Sequence, residues 1–299
     1  LLDRDDEQNP QVAKAAVQEL AELKVRAIIG PMTSNMALSI MPELSSAQIP
    51  CVSPTASTQE LSGLDDQFLR VNPPDVSEAV SMAKLAGDIL NLKHIIVTYD
   101  LGNESFVRPL SARFIEDYLT YQGTEVTQVA FNSRQNPDYV SLYTETAAQA
   151  DGIFIIAASI EAAIIAGQVK QVNPDISLLA TGWALTPEMI SNGGKAVEGT
   201  IFSHYYDANS KVSDFLEFKR LYSERFFEDP DFIAMLGYNA VITAVEGLKA
   251  KKSGELLKDA IIRVGSFDGL QGQIAIDQYG DCDLERHYIQ IKDADFTSF

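Results

Sequence analysis

Between residues 10 and 204, short apolar runs alternate with amphipathic segments, and this rhythm constrains the fold more than any other feature of the chain. Val12, Ala15, Ala16, Leu20 and Leu23 recur at helical spacing and predict a helix over Asn9–Leu23. The run Ala27–Ile29 reads as a strand. The same reading gives helix Asn35–Ala47, strands Pro50–Val52 and Phe68–Val71, helix Ser77–Leu90, strand His94–Tyr99, helix Ser105–Tyr121 and strand Glu125–Phe131. Helix Pro137–Gln149, strand Gly152–Ala157, helix Ile160–Val172 and strands Ile176–Ala180 and Gly199–His204 continue the series. Such alternation predicts the α/β class, with parallel sheets covered on both faces. About nine strands is many for one open sheet in a chain of 299 residues, so two Rossmann-like lobes are expected.

After Asp207 the character changes. Ser213–Phe227, Phe232–Lys251 and Glu255–Val264 read as consecutive helices. Strands Gln271–Ile276 and His287–Ile291 follow, and Tyr279-Gly280-Asp281 between them reads as the turn of a hairpin. Asn72-Pro73-Pro74 is a stiff extended crossover, and His204–Asp207 is a second candidate crossover.

Composition narrows the partners. The net charge of −19 and a pI near 4.5 argue against nucleic acid and anionic membranes, whose phosphates would be repelled. A well-solvated monomer is the expectation. No apolar run reaches the roughly 18 residues that span a bilayer. The chain opens directly on Leu1-Leu2-Asp3-Arg4-Asp5-Asp6, with no signal-peptide pattern. Cys51 and Cys282 allow one bridge and no metal-ligand spacing; Cys51, within an apolar run, reads as a buried free thiol. His94, His204 and His287 lie far apart in or beside strands. There is no G-x-S-x-G elbow, no P-loop and no G-x-G-x-x-G after a strand, so neither catalysis nor a cofactor is expected.

The chemistry the sequence does offer lies in two polar turns. Each follows an apolar strand and opens onto a helical segment: Gly30-Pro31-Met32-Thr33-Ser34 and Ser53-Pro54-Thr55-Ala56-Ser57. Side by side at the carboxyl edge of a parallel sheet, such turns aim backbone N–H groups into one crevice, a recipe for holding a small anion such as a carboxylate. Capping is an equally good use of these residues, since Ser34 is a good N-cap and Ser57 with Glu60 makes a capping box.

These segments resemble the type I periplasmic binding proteins, and within them the leucine/isoleucine/valine-binding branch. Asp5-Asp6-Glu7-Gln8-Asn9-Pro10, Phe68–Asp75, Thr181-Gly182-Trp183-Ala184, Gly193–Gly199, Gly237–Val241 and Gly269–Gly272 recur in the family's order, nearly end to end. The ligand-binding domains of metabotropic glutamate receptors are similar more distantly. The resemblance implies two parallel-sheet lobes joined by a multi-strand hinge, with residues 1–74 and 207–286 in lobe 1 and residues 75–206 and 287–299 in lobe 2. It also implies a strand and helix before Asp5, so that the first βα unit is missing from this chain.

The function so implied is an extracytoplasmic (periplasmic or extracellular) solute-binding protein. It would close around a small carboxylate, an amino acid or a related compound, and deliver it to an ABC permease. The same fold also serves as the sensor domain of membrane receptors such as histidine kinases. Carried over residue by residue, Ser34 and Ser57 would bind the carboxylate, and the Ala56 carbonyl would take an ammonium. Asp75 falls where the glutamate receptors place an acid near that ammonium; its alternative is capping the following helix. The family's second-lobe acid falls at Thr181, where this chain has no charge. Trp183, the chain's one tryptophan, would stack on a ligand or pack beneath it. Phe106 matches an aromatic contact, and Ser159, Tyr205, Tyr206 and Tyr238 are rim candidates.

Overall fold

The computed structural model describes residues 1–121 and 125–299, and it divides into two compact units. Unit 1 comprises Leu1–Pro74 and Ser210–Leu284; unit 2 comprises Asp75–Asn209 and Glu285–Phe299. The architecture is of the expected α/β class.

Unit 1 opens with helix α1 (Pro10–Glu22), started by Asn9, whose side chain accepts the Gln11 N–H at 2.9 Å, and by Pro10 in the first turn. Strand β1 (Ile28–Ile29), helix α2 (Ser34–Ala47), strand β2 (Cys51–Ser53) and strand β3 (Phe68–Arg70) follow. The three strands form one parallel sheet in the order β1-β2-β3. Its core joins Val17, Ile40, Leu44, Cys51 and Phe68. Beside β1 lies an apolar groove of about 700 Å³, bordered by Leu2, Val17, Leu20, Ile28 and Ile29.

Unit 2 begins with α3 (Val76–Lys84), which loosens into a π turn at Leu85–Ile89, so the expected single helix over 77–90 is a nine-residue α-helix followed by a π turn. There follow β4 (His94–Asp100), α4 (Glu104–Thr120), β5 (Glu125–Phe131), α5 (Tyr139–Tyr143), β6 (Gly152–Ile156), α6 (Ser159–Val172), β7 (Ser177–Ala180), α7 (Pro187–Gly193) and β8 (Ile201–His204). The helix expected over 137–149 is cut to five residues. Past it the hydroxyls of Thr144 and Thr146 bond back to the Val140 and Leu142 carbonyls, a local competition that weakens helices.

The chain returns to unit 1 for α8 (Ser213–Phe226), α9 (Phe232–Ala250), α10 (Leu257–Val264), β9 (Ser266–Gly269), β10 (Gly272–Ile276) and β11 (Cys282–Asp283). It ends in unit 2 with β12 (His287–Lys292) and β13 (Asp295–Ser298). The expected hairpin is corrected here. Across the Tyr279-Gly280-Asp281 turn, β10 pairs with β11 and not with His287–Ile291. The latter run, as β12, instead pairs antiparallel with β8. The turn is closed by Asp277, whose carboxylate accepts the Tyr279 and Asp281 N–H groups, which leaves β11 as the nearest partner.

Unit 2 is built on one seven-stranded sheet, ordered β13-β12-β8-β7-β6-β4-β5. Strands β4 to β8 are parallel and nearly every residue of β4, β6, β7 and β8 is buried, which explains their continuous apolar sequence. From β4 the chain steps outward to β5 and then back to β6 on the other side. The β4/β6 boundary is therefore the topological switch point, the place in such sheets where loops part to admit a ligand.

Candidate functional site

In unit 1 the register Ile28↔Cys51 and Ile29↔Val52 sets β1 and β2 level and parallel. The turns that follow them therefore leave from the same sheet edge, bringing the Ser34 and Ser57 segments to one side of the sheet. Polar side chains stitch the turns together. Ser53 Oγ donates to the Pro31 carbonyl at 2.7 Å, and Thr55 Oγ1 to the Met32 carbonyl at 2.5 Å. Ser53 Oγ also accepts the Ala56 N–H at 3.1 Å, and Asn72 Nδ2 donates to the Thr55 carbonyl at 2.6 Å. Gly30 makes the first turn possible with φ +124°, a region that side-chain-bearing residues avoid.

The two turns are not equivalent, which corrects the expectation of two helix openings. The first leads into the 14-residue helix α2, with Ser34 as its first helical residue and Thr33 at the cap position. The second opens only the 3-10 turn Gln59–Leu61. Its cap is Thr58, whose Oγ1 accepts the Glu60 N–H at 3.3 Å, so the cap lies one residue past Ser57, where the expected Ser57–Glu60 box would have placed it. Helix dipole thus acts on the Ser34 side, while the Ser57 side offers only the N–H groups of a turn. Ser34, Ala56 and Ser57 are all buried. Behind the second turn, buried Arg70 donates to Asp281 (2.8 Å), to the Thr58 carbonyl (2.9 Å) and to Ser62 Oγ (2.5 Å).

In unit 2 the predicted residues lie where the parallel strands end. Phe106 stands in the first turn of α4 beyond β4, Ser159 opens α6 beyond β6, Thr181 and Trp183 follow β7, and Tyr206 follows β8. Phe106 and Trp183 meet edge to face, ring centroids 5.7 Å apart. Phe106 is buried in the main core of the unit, whereas Trp183 packs on that core and stays half-exposed. The turn before Phe106 is fixed by Asp100, whose carboxylate accepts from the Gly102 N–H (2.9 Å), the Ser133 N–H (3.0 Å) and the Ser133 hydroxyl (2.6 Å). Thr181 is fully buried, and its Oγ1 has no hydrogen-bond partner among the described residues. Asp75 sits at the N-terminus of α3, 1% exposed, and its side chain does not cap the helix.

One predicted residue, Tyr238, stands apart. Tyr238 is 42% exposed on α9 and its ring packs on Phe218 of α8, 5.3 Å between centroids. Tyr206 is buried, its N–H donating to His204 Nδ1 at 3.0 Å, and it borders a small hollow of about 240 Å³ with Leu185, His287 and Phe296. The sequence reading missed Glu78, Arg286 and His204, which lie together behind the Trp183 turn. Glu78 accepts the Gly182 N–H at 2.6 Å. Burial pushes its pKa up, against the pull of Arg286 and of the Gly182 N–H. Burial, with Arg286 and His287, holds the His204 pKa well below that of a free imidazole. Cys51 and Cys282 are both free and buried, and burial raises both thiols. Among the described residues, no group of three or more His, Cys, Asp or Glu could hold a metal, and no helix is long and apolar enough to cross a membrane.

A family model described as periplasmic binding protein matches residues 1–283. The chain belongs to the periplasmic binding protein family. This family consists of transporter substrate-binding proteins and not of enzymes. Among solved structures, a leucine-binding protein, LivK, from Thermotoga maritima is 26% identical, with a TM-score of 0.84 over 99% of this chain and 85% of its own. The branched-chain amino acid binding protein LivJ from Streptococcus pneumoniae, in complex with isoleucine, is 19% identical with a TM-score of 0.89 over the same shares. A solute-binding protein from R. palustris, in complex with benzoate, is 17% identical with a TM-score of 0.85, over 99% of this chain and 82% of its own. No curated protein matches the sequence. The family assignment bears out the resemblance read from the two turns and the motifs around them.

Proposed function

We propose that this periplasmic binding protein is an extracytoplasmic solute-binding component that takes up a small carboxylate, an amino acid or a related compound, for an ABC permease. The observation that carries this reading is the level, parallel pairing of β1 and β2, with its two stitched turns at one sheet edge. In this reading Ser34 and Ser57 hold the carboxylate through hydroxyl and N–H, and the Ala56 carbonyl faces the other end of the ligand head. Unit 2 selects the remainder of the ligand through Trp183, with Phe106 beneath it, and through Asp75, Ser159, Thr181 and Tyr206. Tyr238 is the weakest member of the set, because its ring is engaged on α8. Closure of the two lobes on the ligand is the expected working motion.

Two features bear on the ligand's chemistry. Thr181 is uncharged where the resemblance places an acid, so the ammonium of an α-amino acid loses one charge-assisted bond. The relatives' ligands, isoleucine in one case and benzoate in another, share a carboxylate and an apolar body but not an ammonium.

The test is calorimetric titration of protein stripped of ligand by unfolding and refolding, against L-leucine, L-isoleucine, benzoate and 4-hydroxybenzoate. A binding ligand at about 100 times its Kd stabilises the fold by about 2.7 kcal/mol, which a thermal melt detects. Ser34→Ala should weaken binding by about tenfold, the loss of one hydrogen bond to a charged group. Absence of heat and of any melting shift with every carboxylate overturns the reading.

A further inference from the structure

Unit 2 contains a buried polar cluster that the binding reading does not use. Glu78, in the first turn of α3, is 5% exposed. Its Oε1 accepts the Gly182 N–H at 2.6 Å, and its Oε2 lies 3.9 Å from Nη1 of Arg286, itself nearly buried. Arg286 donates Nε to Ser77 Oγ and Nη1 to the Ser203 carbonyl, both at 2.9 Å, and its guanidinium lies 5.7 Å from the Tyr205 ring centroid. Tyr205 in turn stacks on His204, centroids 4.2 Å apart. His204 presses on Gly182 from the other side: a Cβ there would sit 2.3 Å from His204 Cδ2. The Thr181-Gly182-Trp183 turn is therefore gripped by a carboxylate on its N–H and by an imidazole against its one side-chain-free residue.

The members of this cluster come from three distant stretches of sequence. Ser77 and Glu78 lie just past the passage from Pro74 to Asp75, where the chain enters unit 2. His204 and Tyr205 lie just before it leaves after Asn209, and Arg286 just after it re-enters at Glu285. A buried carboxylate held by one N–H and an arginine near 4 Å is a poor way to gain stability, because desolvation of both charges offsets their attraction. What such a group supplies is geometry.

We propose that Glu78 is a positioning residue: it fixes the Trp183 turn through the Gly182 N–H and ties that turn, through Arg286, to Ser77, the Ser203 carbonyl and Tyr205 within unit 2. The proposal rests on the reading of Trp183 as a ligand contact only for its significance in binding. The positioning itself is measurable without ligand.

Trp183 is the only tryptophan, so emission excited selectively at the red edge of the indole band, where the 11 tyrosines do not absorb, reports this turn alone. In ligand-free protein, Glu78→Leu should shift the emission to longer wavelength and raise acrylamide quenching about twofold, as the turn opens locally. Glu78→Gln, which keeps an acceptor for the Gly182 N–H, should restore the parental emission and quenching. Glu78→Asp keeps the charge opposite Arg286 but withdraws the carboxylate by one methylene, and it should fall between. Circular dichroism checks that each variant is folded; where Glu78→Leu does not fold, Glu78→Asp carries the test. Parental fluorescence in a folded Glu78→Leu, or in Glu78→Asp when that variant carries the test, overturns the proposal. If the fluorescence responds but no carboxylate binds the parent protein, the binding reading falls and the positioning role stands.

Discussion

The two units build a parallel sheet by different means. In unit 2, β4 runs for seven residues and pairs along its length with β5 and for five residues with β6. In unit 1 the parallel strands are two or three residues long. So few ladder bonds cannot fix the turns that follow, and unit 1 makes up the difference with side chains. Ser53, Thr55 and Asn72 bond to turn carbonyls, and Arg70 clamps β3, the Thr58 carbonyl and Asp281. In unit 2 the turns project from a rigid ladder, and the polar groups behind them, Asp100 and Glu78, aim single loops. The lesson is that unit 1's geometry is held by polar bonds and unit 2's by apolar burial, and the two should fail differently.

The sharpest way to break this comparison is Asp281→Ala. Arg70 has no solvent exposure, so removing its carboxylate leaves a buried, uncompensated charge, at a cost of about 3–5 kcal/mol. The same substitution frees the Gly63 N–H, which Asp281 also holds. Urea denaturation should show the loss, and hydrogen exchange should place it in β2, β3 and the turn at 54–58. If exchange in β4 and β6 accelerates as much as in unit 1, the distinction between the units is wrong.

How much of this was legible in the sequence follows the same division. The parallel strands of unit 2 and its helices α4 and α6 were readable because they are continuously apolar or periodic, whereas the helices read over 77–90 and 137–149 came out shorter and α7 and β13 carried no such signal. The two turns of unit 1 were readable because Gly30, Pro31, Pro54 and the hydroxyl residues are local signals. Long-range partners were not readable. Arg70 with Asp281, and Glu78 with Arg286, join residues more than 200 positions apart, and each one alone reads as a solvated surface charge. Glu78 in particular falls in the first turn of a helix, where an acid needs no further explanation. The hairpin was misjudged for a related reason: β11 is only two residues long, and β12 carries the stronger alternating signal. The one-residue shift of the cap from Ser57 to Thr58 reflects a choice among adjacent hydroxyls that only tertiary packing makes.

A smaller effect sharpens the exception within unit 2, the polar cluster around His204. Its folded pKa lies well below 6.5, by burial first and then by Arg286 and His287, while in the unfolded chain it is near 6.5. Below pH 6.5 the unfolded state therefore binds the extra proton. Stability is fully present above that pH and falls as the pH drops toward the folded pKa, by about 1.4 kcal/mol for each pH unit in which the folded ring stays neutral. His204→Asn, which keeps an acceptor for the Tyr206 N–H, should flatten the melting temperature between pH 6.5 and 5 relative to the parent. Parallel pH profiles for the two proteins would mean that His204 binds a proton as readily in the fold as in the unfolded chain, which overturns the prediction.

The smallest predicted effect tests the apolar half of the comparison. Ile95 is fully buried in the main core of unit 2, in the first half of β4 and away from the strand ends that carry the candidate site. Ile95→Val deletes one methyl group, leaves every ladder bond of β4 in place, and should cost about 0.5–1.5 kcal/mol with no change in carboxylate affinity. The contrast with Asp281→Ala is the point of the pair. A packing defect in unit 2 should lower the denaturation midpoint and leave the site untouched, because the ladder still aims the turns. A polar defect in unit 1 should disturb the turn at 54–58 before it lowers global stability further. If Ile95→Val weakens ligand binding as much as it weakens the fold, then the unit 2 turns depend on core packing as closely as the unit 1 turns depend on their hydrogen bonds.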